Sequence, residues 1–115
     1  MEKEKKYKVE ITPEAKFYYF ELLEYLYKTH SPEKADMKSI EIMNLVYTLD
    51  KNPSRGRIES KLNFHEIEHR FILYKITNRK EVKIIYTVNE NQKKVIVTDF
   101  FGTEMDDKKI EKRNF

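Results

Sequence analysis

Arginine and lysine side chains, which can bind anionic groups such as phosphates, are concentrated in the middle of this sequence. Residues 51–83 hold nine Lys or Arg against four Asp or Glu, although the 115-residue chain carries a formal net charge of only +3. Four of the five arginines lie in this window: Arg55, Arg57, Arg70 and Arg79. A planar guanidinium can donate two parallel hydrogen bonds to a phosphate. The window therefore points to a polyanionic partner, with a solvated basic surface as the ordinary alternative.

Histidine is the residue type best suited to moving protons, because its ordinary pKa is about 6.5. His69 opens an apolar run and is a candidate for this role, with a packing histidine as the commoner alternative. His65 lies four residues before it, a spacing that puts two metal ligands on one helix face. This segment instead predicts a loop that runs into a strand, and no third ligand is evident, so no metal site is expected.

Aromatic side chains offer a second way of binding a nucleic acid, by stacking on bases. Tyr74 and Tyr86 fall in predicted strands, where stacking platforms usually lie. The other aromatic run has helical spacing and is expected to pack in the core instead; it comprises Phe17, Tyr18, Tyr19, Phe20 and Tyr25.

Composition excludes several other classes of function. There is no Cys, which rules out disulfides, zinc–thiolate sites and thiol nucleophiles. Two Gly are too few for a glycine-rich phosphate loop. No apolar run has the length of a signal peptide or a membrane span, so a cytoplasmic protein with no cofactor is expected.

The elements that must position these residues follow from periodicity and capping. Alternating apolar residues predict a strand over residues 6–12. Thr12-Pro13-Glu14 then predicts a helix start, and the helix is expected to end near Thr29. Ser31-Pro32-Glu33 repeats this pattern, and Asn52-Pro53 is expected to stop the second helix.

The second half of the chain has strand character. Residues 69–76, 82–88 and 95–100 are rich in β-branched and aromatic residues and are separated by short polar stretches. The order predicts one α+β domain over residues 1–115: a small antiparallel sheet of four strands with a mixed edge, and a two-helix hairpin packed on one face. Residues 1–5 and 107–115 are expected to fray.

Taken in order, six stretches of the chain resemble the RelE/ParE superfamily of toxins from type II toxin–antitoxin systems. They are Ile11-Thr12-Pro13-Glu14-Ala15, Ser31-Pro32-Glu33-Lys34-Ala35, Leu49 to Pro53 with Arg55-Gly56-Arg57, His69-Arg70-Phe71, residues 82–88 and residues 95–101. The resemblance covers nearly the whole chain and implies the fold predicted above.

The resemblance implies two divergent activities. RelE-like members cut messenger RNA on the ribosome without a metal, whereas ParE-like members bind DNA gyrase and are not nucleases. The implied partners are a cognate antitoxin with either the ribosome and its mRNA or gyrase, and neither a membrane nor a small-molecule cofactor. Ribosome-dependent mRNA cleavage is the first expectation; gyrase inhibition, or a degenerate toxin that only binds its antitoxin, is the alternative.

RNA cleavage without a metal needs cations at the phosphate and groups that move protons. By the resemblance, Lys83 and Arg70 stabilise the phosphate, and His69 or Glu104 moves protons. The expected RNA-binding residues are Arg55, Arg57, Lys61 and Tyr86. Lys83 stands where the family usually has an arginine, and Glu104 stands where many members have a basic residue, so this chain departs from the nuclease pattern.

This site requires one geometric condition. The cationic side chains between Arg55 and Lys83, Arg57 and Arg70 among them, must converge on one concave wall of the sheet.

Overall fold

Two α-helices and five strands form the part of the chain that the structure describes, a computed structural model covering residues 6–62, 66–103, 110 and 113. The elements in chain order are β1 (Lys8–Ile11), α1 (Pro13–Thr29), α2 (Pro32–Tyr47), β2 (Arg57–Ile58), β3 (Arg70–Lys75), β4 (Glu81–Asn89) and β5 (Lys94–Gly102). Short 3₁₀ turns lie at Thr48–Asp50, Pro53–Arg55 and Ser60–Leu62.

Both helices begin where the capping signals predict. The Thr12 hydroxyl accepts a hydrogen bond from the Ala15 N–H at 3.0 Å, and Ser31 accepts one from the Lys34 N–H at 3.3 Å. A proline follows each cap, where its missing N–H costs nothing. The second helix ends at Tyr47 rather than near Asn52, because the chain tightens there into a 3₁₀ turn.

The sheet has five strands in the order β1-β5-β4-β3-β2. Strand β1 pairs with β5 in parallel, and the other neighbours are antiparallel. The predicted α+β class is confirmed, but the prediction of four strands was wrong. The added strand is β2, whose Arg57 and Ile58 pair with β3; two residues are too few to show a strand's alternation in the sequence.

The main core lies between the helical hairpin and one face of the sheet. Its fully buried members include Leu26 on α1, Ile42 and Val46 on α2, and Ile84 and Val97 on the sheet. A smaller cluster lies on the opposite sheet face and contains Leu62, Phe71, Ile85, Phe101 and Ile110. Both faces of the central strands are therefore covered.

Strand β5 has a bulge that changes which of its residues face the helices. Ile85 lies opposite Asp99, whereas its neighbour Tyr86 lies opposite Val97, so Thr98 has no partner in the ladder. The Thr98 hydroxyl donates to the Ile85 carbonyl at 3.3 Å. Because of the extra residue, Val97 and Phe100 both reach the main core.

The aromatic run of α1 is only partly buried. Tyr18 is 9% exposed, as a core residue should be, and Tyr19 contacts Phe100 at a ring separation of 5.0 Å. Phe17 and Phe20 are 60% and 61% exposed, so the expectation that the whole run packs in the core was wrong. Their positions fall on the side of the helix away from the sheet. Neither α1 nor α2 is long and apolar enough to cross a membrane.

Candidate functional site

The register of the sheet decides which cationic side chains share a face. Arg57 lies opposite Phe71, and Lys83 lies opposite Leu73. Alternation along the strands places these four side chains on the sheet face away from the helices, here called the open face. Arg70 precedes Phe71 in the same strand and therefore points to the other side. The expectation of one cationic wall was thus wrong for Arg70.

Lys83 is held in an ion pair on the open face. Its Nζ lies 2.9 Å from Glu59 Oε2, and the side chains are 17% and 3% exposed respectively. The same Nζ lies 4.5 Å from the centre of the Phe71 ring. The charge of Lys83 is therefore balanced inside the protein, so a phosphate would have to compete with a buried carboxylate for it.

Arg70 binds the loop that leads into β2. Its Nη1 donates to the Gly56 carbonyl at 2.8 Å and to the Ser54 carbonyl at 3.2 Å, while its Nη2 lies 3.1 Å from the Glu68 carboxylate. These contacts engage both terminal nitrogens of the guanidinium, so a phosphate would have to compete with them. Arg70 is therefore placed to fix the loop conformation.

Tyr86 anchors the same loop from inside the protein. The residue is fully buried; its hydroxyl donates to the Pro53 carbonyl and accepts from the Gly56 N–H at 3.0 Å. Burial raises the pKa of this phenol above its ordinary value. A Cβ at Gly56 would collide with the hydroxyl and lie 2.9 Å from the Phe71 carbonyl, which explains the glycine. With no exposed ring face, Tyr86 cannot stack on a base as expected.

Tyr74, the other candidate for stacking, is directed to the helices. Its hydroxyl donates to the Glu41 carboxylate on α2 at 2.6 Å. Burial, followed by this hydrogen bond, raises the pKa of Tyr74. The aromatic platform expected on the strands is therefore not formed by these two tyrosines.

An open cleft of about 250 Å³ lies beside β2 and includes two arginines of the predicted site. It is lined by Arg55, Gly56, Arg57, Phe71, Ile72 and Leu73. Arg55 is partly engaged, because its guanidinium donates to the Thr48 carbonyl at 3.1 Å and to the Thr48 hydroxyl. The side chains of Arg57 and Lys61 are exposed and make no hydrogen bond or ion pair with the residues the structure describes. Together, Arg57 and the apolar floor could hold an anionic group with an apolar neighbour.

The candidate proton-transfer groups are not assembled in the described residues. His69 is 5% exposed, with its Nδ1 3.0 Å from the Ile67 carbonyl. Glu104 and His65 lie outside the described residues. Among the described residues there is no group of three His, Cys, Asp or Glu that could hold a metal ion.

A buried acid that sequence reasoning missed lies on β5. Asp99 is fully buried, and its Oδ2 accepts a hydrogen bond from Arg113 Nε at 3.1 Å, while its Oδ1 has no hydrogen-bond partner within the described residues. Burial raises the pKa of Asp99 to about 6, against the opposing effect of Arg113. The Arg113 guanidinium also lies 3.7 Å from the centre of the Tyr18 ring. This pair ties residue 113 to both β5 and α1.

Sequence signals for the two missed acids differ in strength. Asp99 is the one charged residue within residues 95–101, an otherwise apolar and β-branched strand, and a lone charge there indicates a buried, partnered group. Glu59 lies in the unassigned segment after β2, where no periodicity marks it as buried. Its partner Lys83 could be identified only from the three-dimensional structure.

Comparisons with known proteins gave no match: no family model fits the chain, and neither curated proteins nor solved structures resemble it. The family likeness therefore depends on the six sequence motifs.

Proposed function

We propose that this protein is the toxin of a type II toxin–antitoxin system, of the RelE/ParE kind, and that it acts by binding its target instead of cutting RNA. The system is suggested by the six motifs in their order. It is supported by the element order strand, helix, helix and a three-stranded meander, with the first strand parallel at the edge. The resemblance implies this arrangement.

The observation that carries the choice of mechanism is the separation of Arg70 from Lys83. The two expected phosphate-binding cations point to opposite faces of the sheet, and each is engaged inside the protein. A phosphate in the transition state must be held by several donors at once. Two cations on opposite faces cannot contact one phosphate, which argues against a nuclease built on this pair.

DNA gyrase is the proposed target, because the resemblance offers it as the non-enzymatic alternative. The proposed antitoxin would neutralise the toxin by covering the surface that the target needs. Since residues 51–83 are basic, the covering segment should be acidic.

Ribosome-dependent RNA cleavage remains the second candidate, favoured by Arg57 and Lys61. Both are exposed cations, and Arg57 lines the open cleft. On this alternative they would bind the RNA backbone, and the proton-transfer groups would include Glu104.

The decisive experiment begins with induction of the gene alone in a bacterial host. Growth arrest is expected, with rescue by the adjoining antitoxin gene. The purified protein is then added to a supercoiling reaction with gyrase and, separately, to a translation reaction in which RNA ends are mapped. Blocked supercoiling with intact transcripts supports the proposal. Transcripts cut within the ribosome would overturn the binding mechanism, and unimpaired growth at good expression would overturn the toxin assignment itself.

A matched pair of double variants separates the two mechanisms further. Arg57→Ala with Lys61→Ala removes two exposed cations, of which Arg57 lines the cleft, and Lys6→Ala with Arg79→Ala removes the same charge from exposed sites elsewhere. A nuclease using the cleft should lose toxicity only in the first pair. Equal toxicity in both pairs would exclude the cleft as the RNA-binding site.

A further inference from the structure

The side of the helical hairpin that faces away from the sheet carries a large exposed apolar patch. Six side chains form it, here called the outer hairpin face: Phe17, Phe20 and Tyr27 on α1, and Met37, Ile40 and Tyr47 on α2. Each is between 47% and 61% exposed. Scattered apolar residues on a surface need no explanation, but six on one face of two adjacent helices do.

The spacing on the two helices is the same. On α1 the positions are 17, 20, 24 and 27, and on α2 they are 37, 40, 44 and 47, with Glu24 and Asn44 at the third position. This alternation of three and four residues places each set along one helical stripe. The buried residues Leu26 and Ile42 lie on the opposite sides of their helices. The stripes are thus additional to the core and match the pattern of helices that pack on other helices.

The two stripes lie side by side. The helices are antiparallel neighbours, joined across their contact by the Tyr19 hydroxyl, which lies 3.3 Å from the Ser39 carbonyl, and by the Tyr27 hydroxyl, which bonds to the Asp36 carboxylate. Because both stripes point away from the sheet, they form one continuous surface instead of two separate ridges.

We propose that the outer hairpin face is a dimer interface, and that a second copy of this chain covers it through the same face. A two-fold axis would bring two helical hairpins together as a four-helix bundle between two outer sheets. Each copy would then bury the stripes of the other, and each stripe would meet a stripe of the same spacing.

The exposed area fits this occupant. Six partly exposed side chains of this size offer roughly 600 Å² of apolar surface, near the upper limit of about 600 Å² for the largest patch on a typical monomer. With the polar rim added, the face approaches the roughly 800 Å² per partner of a stable interface.

The charges around the patch also favour self-association. Exposed residues of both signs flank the stripes: Lys16, Glu21 and Lys28 on α1, and Lys34, Asp36 and Glu41 on α2. A strongly basic or acidic partner would meet like charges on part of this rim, whereas a second copy can place its cations against these acids. The cationic cleft beside β2 is not part of this face.

The test compares two identical substitutions at equally exposed isoleucines. Ile40→Glu introduces a charge into the outer hairpin face, whereas Ile67→Glu introduces the same charge outside it; the two side chains are 60% and 61% exposed. Sedimentation equilibrium across a dilution series should give the wild type and Ile67→Glu twice the chain mass of 14.1 kDa. Ile40→Glu should weaken association by roughly thirtyfold or more, as loss of an interface hot spot does.

A second variant guards against an unexpected effect on folding. Phe20→Glu changes α1 instead of α2, and circular dichroism should show that each variant keeps the wild-type helix content. A wild-type protein that sediments with the mass of one chain at every concentration would overturn the proposal. So would a folded Ile40→Glu and a folded Phe20→Glu that both remain dimeric. Toxicity is not a readout here, so the proposed function can fail while this dimer stands.

Discussion

The residues with the most unusual surroundings in this protein are the buried acids Glu59 and Asp99. Each is paired with a basic side chain, Lys83 and Arg113 respectively. Removing one partner of a buried ion pair is strongly destabilising, because the remaining charge is left buried without compensation. These ion pairs therefore limit which other groups the basic residues can bind. In particular, Lys83 would have to leave Glu59 in order to bind a phosphate.

Removing Lys83 alone should destabilise the protein by roughly 3–5 kcal/mol, because Glu59 would be left buried without its counter-charge. The double variant Lys83→Met with Glu59→Leu should recover most of that loss, since no charge remains to be desolvated. Urea unfolding of the two single variants and the double variant measures the coupling. Additive losses would show that the pair is not coupled. Any loss of toxicity in Lys83→Ala must be read against this stability change.

Asp99 should make stability fall as the pH rises. Its pKa is raised from 3.8 to about 6 in the folded protein, so between these values the folded state holds a proton that the unfolded state has released. This group should therefore lower the free energy of unfolding by roughly 2 kcal/mol between pH 4 and pH 7. Asp99→Asn removes this dependence, whereas Glu14→Gln, at an exposed site, should not. A stability difference between wild type and Asp99→Asn that stays constant over this pH range would contradict the assignment.

At the scale of elements, the loop of residues 53–56 is fixed to the sheet by hydrogen bonds from two strand residues. Tyr86 and Arg70 both bond to residues 53–56, and Gly56 allows the loop to approach the sheet. The loop residue Arg57 then begins β2 and lines the cleft. The hydrogen bonds that Tyr86 and Arg70 make to this loop therefore set the position of the cleft.

Tyr86→Phe should lower the free energy of unfolding by about 1–3 kcal/mol, because the Gly56 N–H and the Pro53 carbonyl lose a buried partner. Tyr7→Phe is a matched control, since the Tyr7 hydroxyl donates to the Glu90 carboxylate at an exposed site. Urea unfolding gives the stability change, and amide exchange at Gly56 reports on the loop directly. Unchanged exchange at Gly56 would show that the hydroxyl does not hold the loop.

At the scale of the whole molecule, the two sheet faces are covered unequally. The helices cover one face with a large apolar core, and a smaller cluster covers the other. Strand β4 lies inside the sheet between β3 and β5, and Ile84 and Ile85 are buried on its two faces. Strand β2 lies at the edge and has two residues.

Local stability should follow this distribution. The amides of Ile84 and Ile85 are expected to exchange with solvent only on global unfolding, and the amide of Ile58 in β2 through local opening, orders of magnitude faster. Native-state hydrogen exchange at increasing denaturant measures both. Equal protection of β2 and β4 would mean that the second face unfolds together with the main core.

Local sequence determined the two helices, the four longer strands and their order, but not the two-residue strand β2. Thr12 and Ser31 mark the helix starts, and β-branched runs mark the three long strands, because caps and periodicity act over a few residues. The helical hairpin on one sheet face followed from that order. The part of the outer hairpin face that lies on α1 could not be predicted in this way, because Phe17 and Phe20 are apolar whether they face the sheet or solvent.

Only the tertiary structure decided which side chains meet. Strand register put Arg70 and Lys83 on opposite faces, and a residue far along the chain, Glu59, supplies the partner of Lys83. A one-residue change in the register of a strand would move its side chains to the opposite face of the sheet, although the strand propensity of each residue would stay the same. For this reason the composition of the candidate site, unlike the fold class, could not be deduced from residue types and spacing.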